Sequence, residues 1–299
     1  MAALDTNHVI LPQEVSEMLL TKISDHSVVQ RLSTLTPTMF KVQAYNLFTQ
    51  EPEAEFVDEG AQKSSMTPEI GQASTGIHKA QVTVRMSDEL RWYDEDNRMQ
   101  IVSQIVSSGS RALGRALDYG VLYGVSPATG TQMTSPACII DPSMQTVTAT
   151  SDPAADLDAL VEMVNEDYEI NGIALSKPWA NELRKKRDPN TGLRWFPEVP
   201  LNLNTGNLEG IPAATSSTVN GTRVAPSVTL PRALAIVGNW DLVKWGVARN
   251  LGLDIIETGD PDGLGDLKRL NQVAYRLEIV YAWAILDSLG FAALVPHQG

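Results

Sequence analysis

The 299-residue chain reads as an α+β protein, and three observations carry that reading. The first is a long helical pattern from Asn97 to Gly124, the longest in the chain. The second is a period of two in two stretches far apart in sequence, a strict alternation over His78–Met86 and a long two-faced strand over Gln272–Trp283. The third is the region between helix and last strand, where short helical and strand patterns alternate, as in an α/β unit inserted into a larger domain.

The long helix places Ile101, Val102, Ile105, Val106, Gly109, Ala112, Leu113, Ala116, Leu117 and Gly120 three or four residues apart, on one face. Asp94, Glu95 and Asp96 stand at its start, where negative charge suits the exposed N–H groups. At 1.5 Å per residue it would run about 40 Å. Gly109, Ser110 and Gly114 lie inside it, and a mid-helix glycine costs up to about 1 kcal/mol against alanine. A neighbour is therefore expected to pack close to the backbone there.

Residues 1–38 read as an arm with one amphipathic helix, opened by Pro12, with Val15, Met18, Leu19 and Ile23 on its face. Such a helix has little of its own to bury it. Residues 39–86 read as a long hairpin: a β-prone segment Phe40–Phe48, a polar loop rich in acids, and the strand His78–Met86. A loop of that length is uncommon without a function, and an isolated two-stranded hairpin is marginal in water. Ser87 can cap a helical turn over Asp88–Tyr93.

In the middle region Asp152-Pro153 starts a helix with the face Leu157, Leu160, Val161, Val164 and Tyr168, ended by Asn171-Gly172. Ile173–Leu175 is a strand, Pro178 opens a second helix to about Arg187, and residues 188–192 are a turn cluster. Further strands are expected at Ile211–Thr215 and Arg232–Val237. After 247 come a strand at Leu253–Glu257, the long strand Gln272–Trp283 and a last one, Phe291–Val295, so that a hairpin would close the chain. The long helix and this terminal sheet each need cover, and are expected to pack together.

Composition narrows the function. The formal net charge of −13 argues against a nucleic-acid reader, which needs clustered Lys and Arg. The one dense basic run, Arg184–Arg187, reads as a solvated helix face. Nothing approaches a membrane span, and the single Cys138 excludes an internal disulfide. His8, His26, His78 and His297 have no metal-ligand spacing, and no Walker A, GxSxG or HExxH motif is present. The sequence thus offers no cofactor, metal or catalytic group.

Five segments carry a resemblance: the loop AEFVDEGAQKSS, the join VTVRMSDEL, the helix end ALDYGVLYG, the segment GNWDLVKWGVARNLGLDI and the end NQVAYRLEIVYAWAILDSLGFAAL. In this order they resemble the major capsid proteins of tailed bacteriophages, with the Hong Kong 97-type fold. The resemblance implies an N-terminal arm (1–38), an extended hairpin or E-loop lying over a neighbouring subunit (39–82), a P-domain with the spine helix (83–124), an inserted A-domain gathered at the five- and six-fold axes (125–246), and a terminal P-domain sheet (247–299). It implies a structural protein whose partners are its own copies, as pentamers and hexamers of an icosahedral shell in the virion. The shell would enclose double-stranded DNA without reading its sequence and would be built in the host cytoplasm. A portal and a decoration protein belong to the same picture. The chain opens directly on the arm, which points to a separate scaffolding protein. An encapsulin-like nanocompartment shell and a soluble α/β enzyme with an unrecognised site are the alternatives.

Some members of the family crosslink a loop lysine to a P-domain asparagine with a carboxylate as general base. The candidates here are Lys63, Asn271 and Glu278; the plainer reading makes Lys63 a solvated loop charge and the other two ordinary polar residues. By the same resemblance Glu59, Asp266, Lys268, Arg269 and Arg276 are candidates for contacts between capsomers, against a solvated charged turn whose ion pairs contribute about 0–1 kcal/mol each. Glu51, Glu53, Glu55 and Asp58 could pair with a neighbour's basic residues or lie in a free acidic loop. Trp195 and Phe196 fit core or interface packing better than a binding pocket.

Overall fold

The structure, a computed structural model, describes the chain except for residues 1–26, 37–42, 49–53, 58, 60–61, 63–64, 66–69, 98–100, 134–136, 143, 166–167, 222–231 and 298–299. The expected arm helix over 12–23 and Lys63 therefore lie outside the described residues. The described chain opens with a short helix α1 (Val28–Leu32), capped by Ser27, whose Oγ accepts from the Gln30 N–H.

The long helix forms as α3 (Ile101–Tyr123), residues 98–100 of the pattern lying outside the described residues. The residues before it make a separate helix, α2 (Asp88–Asn97), longer than the single turn expected. Its start is capped as foreseen, the Leu90 N–H donating to Ser87 Oγ at 3.3 Å. The acids ahead of the long helix belong to α2. Asp94 among them accepts from the Ile101 N–H at 3.1 Å, so it caps α3 from the preceding helix.

Three antiparallel strands, β3 (Gly76–Ser87), β10 (Gln272–Ile285) and β9 (Val243–Ile256), form a sheet with β10 in the middle. The expected packing of helix on sheet is realised: Leu277, Ile279, Tyr281 and Trp283 of β10 join Val106, Leu113 and Leu117 of α3 in one core. The glycines are the points of closest approach. A Cβ on Gly109 would lie 2.1 Å from Leu277 Cδ1, and one on Gly120 2.8 Å from Trp283 Cη2.

The second sheet has the order β4 (Gln145–Thr148), β11 (Phe291–Val295), β8 (Ala235–Gly238), β5 (Gly172–Ser176), β7 (Ile211–Ser216), β6 (Asn207–Leu208), with parallel and antiparallel pairs. Its inner strands β11, β8 and β5 are buried on both faces because both are covered. Ala174, Ala214, Ile236, Phe291 and Ala293 face the α3 core. Ile173, Leu175, Ala213, Val237 and Leu294 face the helices α4 (Pro153–Asn165) and α5 (Lys177–Lys185). Phe196 is buried in this second core, whereas Trp195 is half exposed with Lys186 over its ring.

Two expectations are corrected. The hairpin pairs β1 (Ala44–Phe48) with β2 (Ile70–Ser74), a strand the pattern did not mark, and His78–Met86 belongs to β3, paired along its length with β10. The alternation there finds apolar cover against β10 and α3, with Ala80 and Val82 on the core, which β1 cannot supply. No terminal hairpin forms: β11 leaves β10 and inserts between β4 and β8, because its residues are apolar on both faces and need a central position. Helix α4 is described to Asn165; residues 166–167 lie outside the described residues, and the Tyr168 N–H donates to Val164 O at 3.0 Å, with Tyr168 packed on the same core as the helix face.

Gly120→Ala should cost about 1–3 kcal/mol in the unfolding free energy of the unassembled chain, despite the better helix propensity of alanine. The Trp283 ring cannot step aside without breaking the Nε1–H bond to Ala137 O, at 2.8 Å. Urea unfolding followed by tryptophan fluorescence measures it.

Candidate functional site

A carboxylate buried in α3 joins three parts of the chain. Asp118 is fully buried. Its oxygens accept from Ser27 Oγ at 2.6 Å, the Val28 and Val29 N–H groups at 3.2 Å each, and Thr218 Oγ1 at 2.6 Å. The first three donors sit at the start of α1 and the last follows β7, so one side chain fastens the arm and the six-stranded sheet to the long helix. The N-terminal N–H groups of α1 have no partner within the helix, and Asp118 supplies one. Burial pushes the Asp118 carboxyl up to about 6, against hydrogen bonds from Ser27, Thr218, Val28 and Val29 that lower it. The arm is held again at Leu35, which bridges Trp245, with the Thr36 N–H donating to Trp245 O at 2.9 Å.

Sequence reading passed over Asp118. The available signal is an acid inside Leu117–Tyr123, where every other residue is apolar or glycine and all are buried.

The charged turn before β10 is fixed from the strands beside it. Arg85 of β3 donates through Nε to both Asp262 oxygens at 2.9 Å, and through Nη2 to Asp260 Oδ1 at 3.1 Å and Gly265 O at 2.9 Å. The Arg85 guanidinium holds the Asp262 carboxyl below the usual carboxylate range. Arg276 donates to Thr83 Oγ1 at 3.1 Å and to Pro261 O at 2.7 Å, so its guanidinium is engaged within the subunit. Asp266 accepts from the Arg269 N–H at 3.0 Å, which leaves Lys268 and Arg269 exposed on a short 3-10 turn. Leu264 and Leu270 are exposed beside them.

The other candidates do not come together within one chain. Glu59 is exposed in the loop beyond β1, and Lys63 lies outside the described residues. Asn271 is exposed, in the left-handed region at φ 52°. Glu278 lies within β10 and pairs with Lys79 of β3 at 2.8 Å. Seven residues of strand separate it from Asn271, about 23 Å at the usual rise. Among the described residues no His, Cys, Asp or Glu group could hold a metal ion. No helix among them is long and apolar enough to cross a membrane.

The hairpin β1–β2 stands outside every core: between residues 43 and 74 no described side chain is buried, and Phe56 is fully exposed. Leu193, Trp195 and Leu201 are exposed on the side of the six-stranded sheet, and Trp92 and Tyr93 on α2. A sound core with an uncovered hairpin and scattered exposed aromatics is the anatomy of a subunit made to be covered by others.

The phage capsid family matches residues 7–295, and the chain belongs to that family. Among solved structures, one from Mycobacterium phage Ogopogo is 36% identical with a TM-score of 0.83, over 91% of this chain and 92% of that one. Another from Gordonia phage Cozz is 29% identical with a TM-score of 0.76, over 92% and 87%. A structure described as the capsid of an empty GTA particle computed with C5 symmetry shares the fold at 13% identity, with a TM-score of 0.63 over 91% and 90%. No curated protein matches. The protein is a capsid protein of the phage virion, a structural subunit of an icosahedral shell and not an enzyme. Neither alternative from the sequence is favoured.

The Asp118 carboxyl binds a proton more tightly folded than unfolded, since its pKa rises from 3.8 to about 6. Its term therefore favours the folded state at low pH and is lost as pH rises through about 6. The stability of the wild type relative to Asp118→Asn should accordingly grow as pH falls from about 7 to about 4, by on the order of 3 kcal/mol. Urea midpoints of both chains across that range measure it.

Proposed function

We propose that the chain assembles through pentamers and hexamers into an icosahedral shell of the Hong Kong 97 type around double-stranded DNA, in the cytoplasm of the host. In this reading the β1–β2 hairpin with its acidic loop is the E-loop, lying over a neighbouring subunit. Helix α3 with the three-stranded sheet is the P-domain, and the six-stranded sheet with α4 and α5 is the A-domain around the symmetry axes. The observation that carries it is the hairpin without a core: two strands alone are marginal in water, so a surface from another copy must complete them. Glu59, Asp266, Lys268 and Arg269 then serve contacts between subunits. Arg276 acts beneath them by fixing the turn that presents them.

The copies associate without covalent crosslinks. Glu278 is paired with Lys79, and an Asn271–Glu278 site would need different copies to supply the two.

Replacing residues 44–74 by a short Gly-Ser turn should leave the melting temperature of the subunit within a few degrees and abolish particles in negative-stain microscopy. Particles from the deletion chain would overturn the role given to the hairpin. On a denaturing gel, assembled shells should run as one band at 32.5 kDa; a ladder of multiples would restore the Lys63–Asn271 crosslink.

A further inference from the structure

The helices on the six-stranded sheet carry two pairs of like charge that their own chain does not neutralise. One pair stands on the turn after α5. Arg187 and Arg194 oppose each other in an antiparallel bridge across residues 188–192. Residues directly opposite point to the same side, where like charges repel. The Arg187 guanidinium donates to a neutral carbonyl, Gly192 O, at 3.0 Å, and among the described residues neither arginine forms an ion pair. The two lysines just before them are satisfied, Lys185 by Glu182 and Lys186 by Asp152. Leu193, Trp195 and Leu201 are exposed beside the arginines. The other pair stands on α4. Asp158 and Glu162 are one turn apart and exposed, a spacing at which two carboxylates repel, and neither forms an ion pair among the described residues. Met163 is exposed next to them. Helix α4 covers the half of the sheet made by β4, β11 and β8, and α5 the half made by β5 and β7, so the two pairs lie on different flanks.

We propose that the turn bearing Arg187 and Arg194 docks on the α4 face bearing Asp158 and Glu162 of a second copy. Each pair is unfavourable alone and is relieved by the other, and guanidinium on carboxylate is the pairing that gains most from direct contact. Both patches also have exposed apolar side chains at their margin, which a protein surface can cover and a phosphate backbone cannot. The net charge of −13 further disfavours a polyanion as the occupant. Because the two surfaces differ, the contact is head-to-tail, and repeated head-to-tail contacts close into a ring when the rotation between copies allows it. The inference rests on the reading of the six-stranded sheet and its helices as the A-domain around the symmetry axes, and names the surfaces that meet there.

The test is charge reversal in the full chain, read by negative-stain microscopy. Asp158→Lys/Glu162→Lys and Arg187→Glu/Arg194→Glu should each abolish particles, while the chain carrying all four changes should form them again, because the attraction is restored with its sign exchanged. Co-expression of the two double variants gives a sharper outcome. Complementary surfaces then meet only where the two chains alternate, so six-membered rings should form and five-membered rings and closed shells should not. Asp158, Glu162 and Arg187 are exposed and Arg194 half-buried, and circular dichroism with the melting temperature checks that each variant folds. Particles from either double variant, in yield equal to the wild type, overturn the contact while leaving the shell reading intact; a wild-type chain that forms no particles overturns the shell reading itself. Loss of particles in the arginine variant alone, without recovery in the fourfold variant, overturns the contact and assigns the arginines to nucleic acid.

Discussion

Two glycines let side chains of the central strand lie against the backbone of α3. Leu277 occupies the space a Cβ on Gly109 would need, and Trp283 the space at Gly120. This contact sets the distance between helix and three-stranded sheet. The same helix also supplies the floor for one face of the six-stranded sheet, through Tyr119, Leu122 and Tyr123. Tyr123 adds a polar tie, donating to Val219 O at 2.6 Å and accepting from the Ala233 N–H at 3.1 Å. With apolar contacts on so many sides, the end of α3 from Leu117 to Tyr123 has no solvated face, and any polar group in it must find its partners inside. Asp118 finds them in the arm and after β7, which is why a charged residue is tolerated at that depth.

Much of this architecture was legible in the sequence because it follows local periodicity. The helix face, the period of two over Gln272–Trp283, the helix starts at Pro153 and Pro178 and the meaning of Gly109 depend on neighbours a few residues away. What escaped was decided at long range. Ile70–Ser74 contains glycine, glutamine and serine and does not look like a strand; it becomes one because β1 lies opposite. The short apolar run Phe291–Val295 is equally compatible with an end hairpin and a central strand, and only the open place beside β8 settles it. Asp118 was hidden for the converse reason: within a helix pattern a single acid reads as the edge of a polar face. The contact candidates were legible as residue types, whereas their engagement was not. Nothing local says that Arg276 reaches Pro261 or that Glu278 faces Lys79.

The subunit divides its surface into parts that stand alone and parts that do not. The turn at residues 259–265 is locked by Arg85 and Arg276 before any partner arrives, so it can present Lys268 and Arg269 without loss of order on contact. The hairpin is the opposite case: its backbone pairs with itself, and none of its described side chains is buried. A capsid protein built this way carries its own core while leaving surfaces uncovered, and its net charge of −13 works against indiscriminate association of its copies.

The crossing of the last strand has a temporal consequence. Among the described residues β4 pairs with β11 alone, and β11 also supplies one partner of β8. While the chain is being synthesised, residues 145–148 have no strand to join until residues 291–295 have left the ribosome. The six-stranded sheet therefore cannot close before its last strand has emerged. Strand order itself thus makes this sheet a late event, finished only when both distant strands are present together.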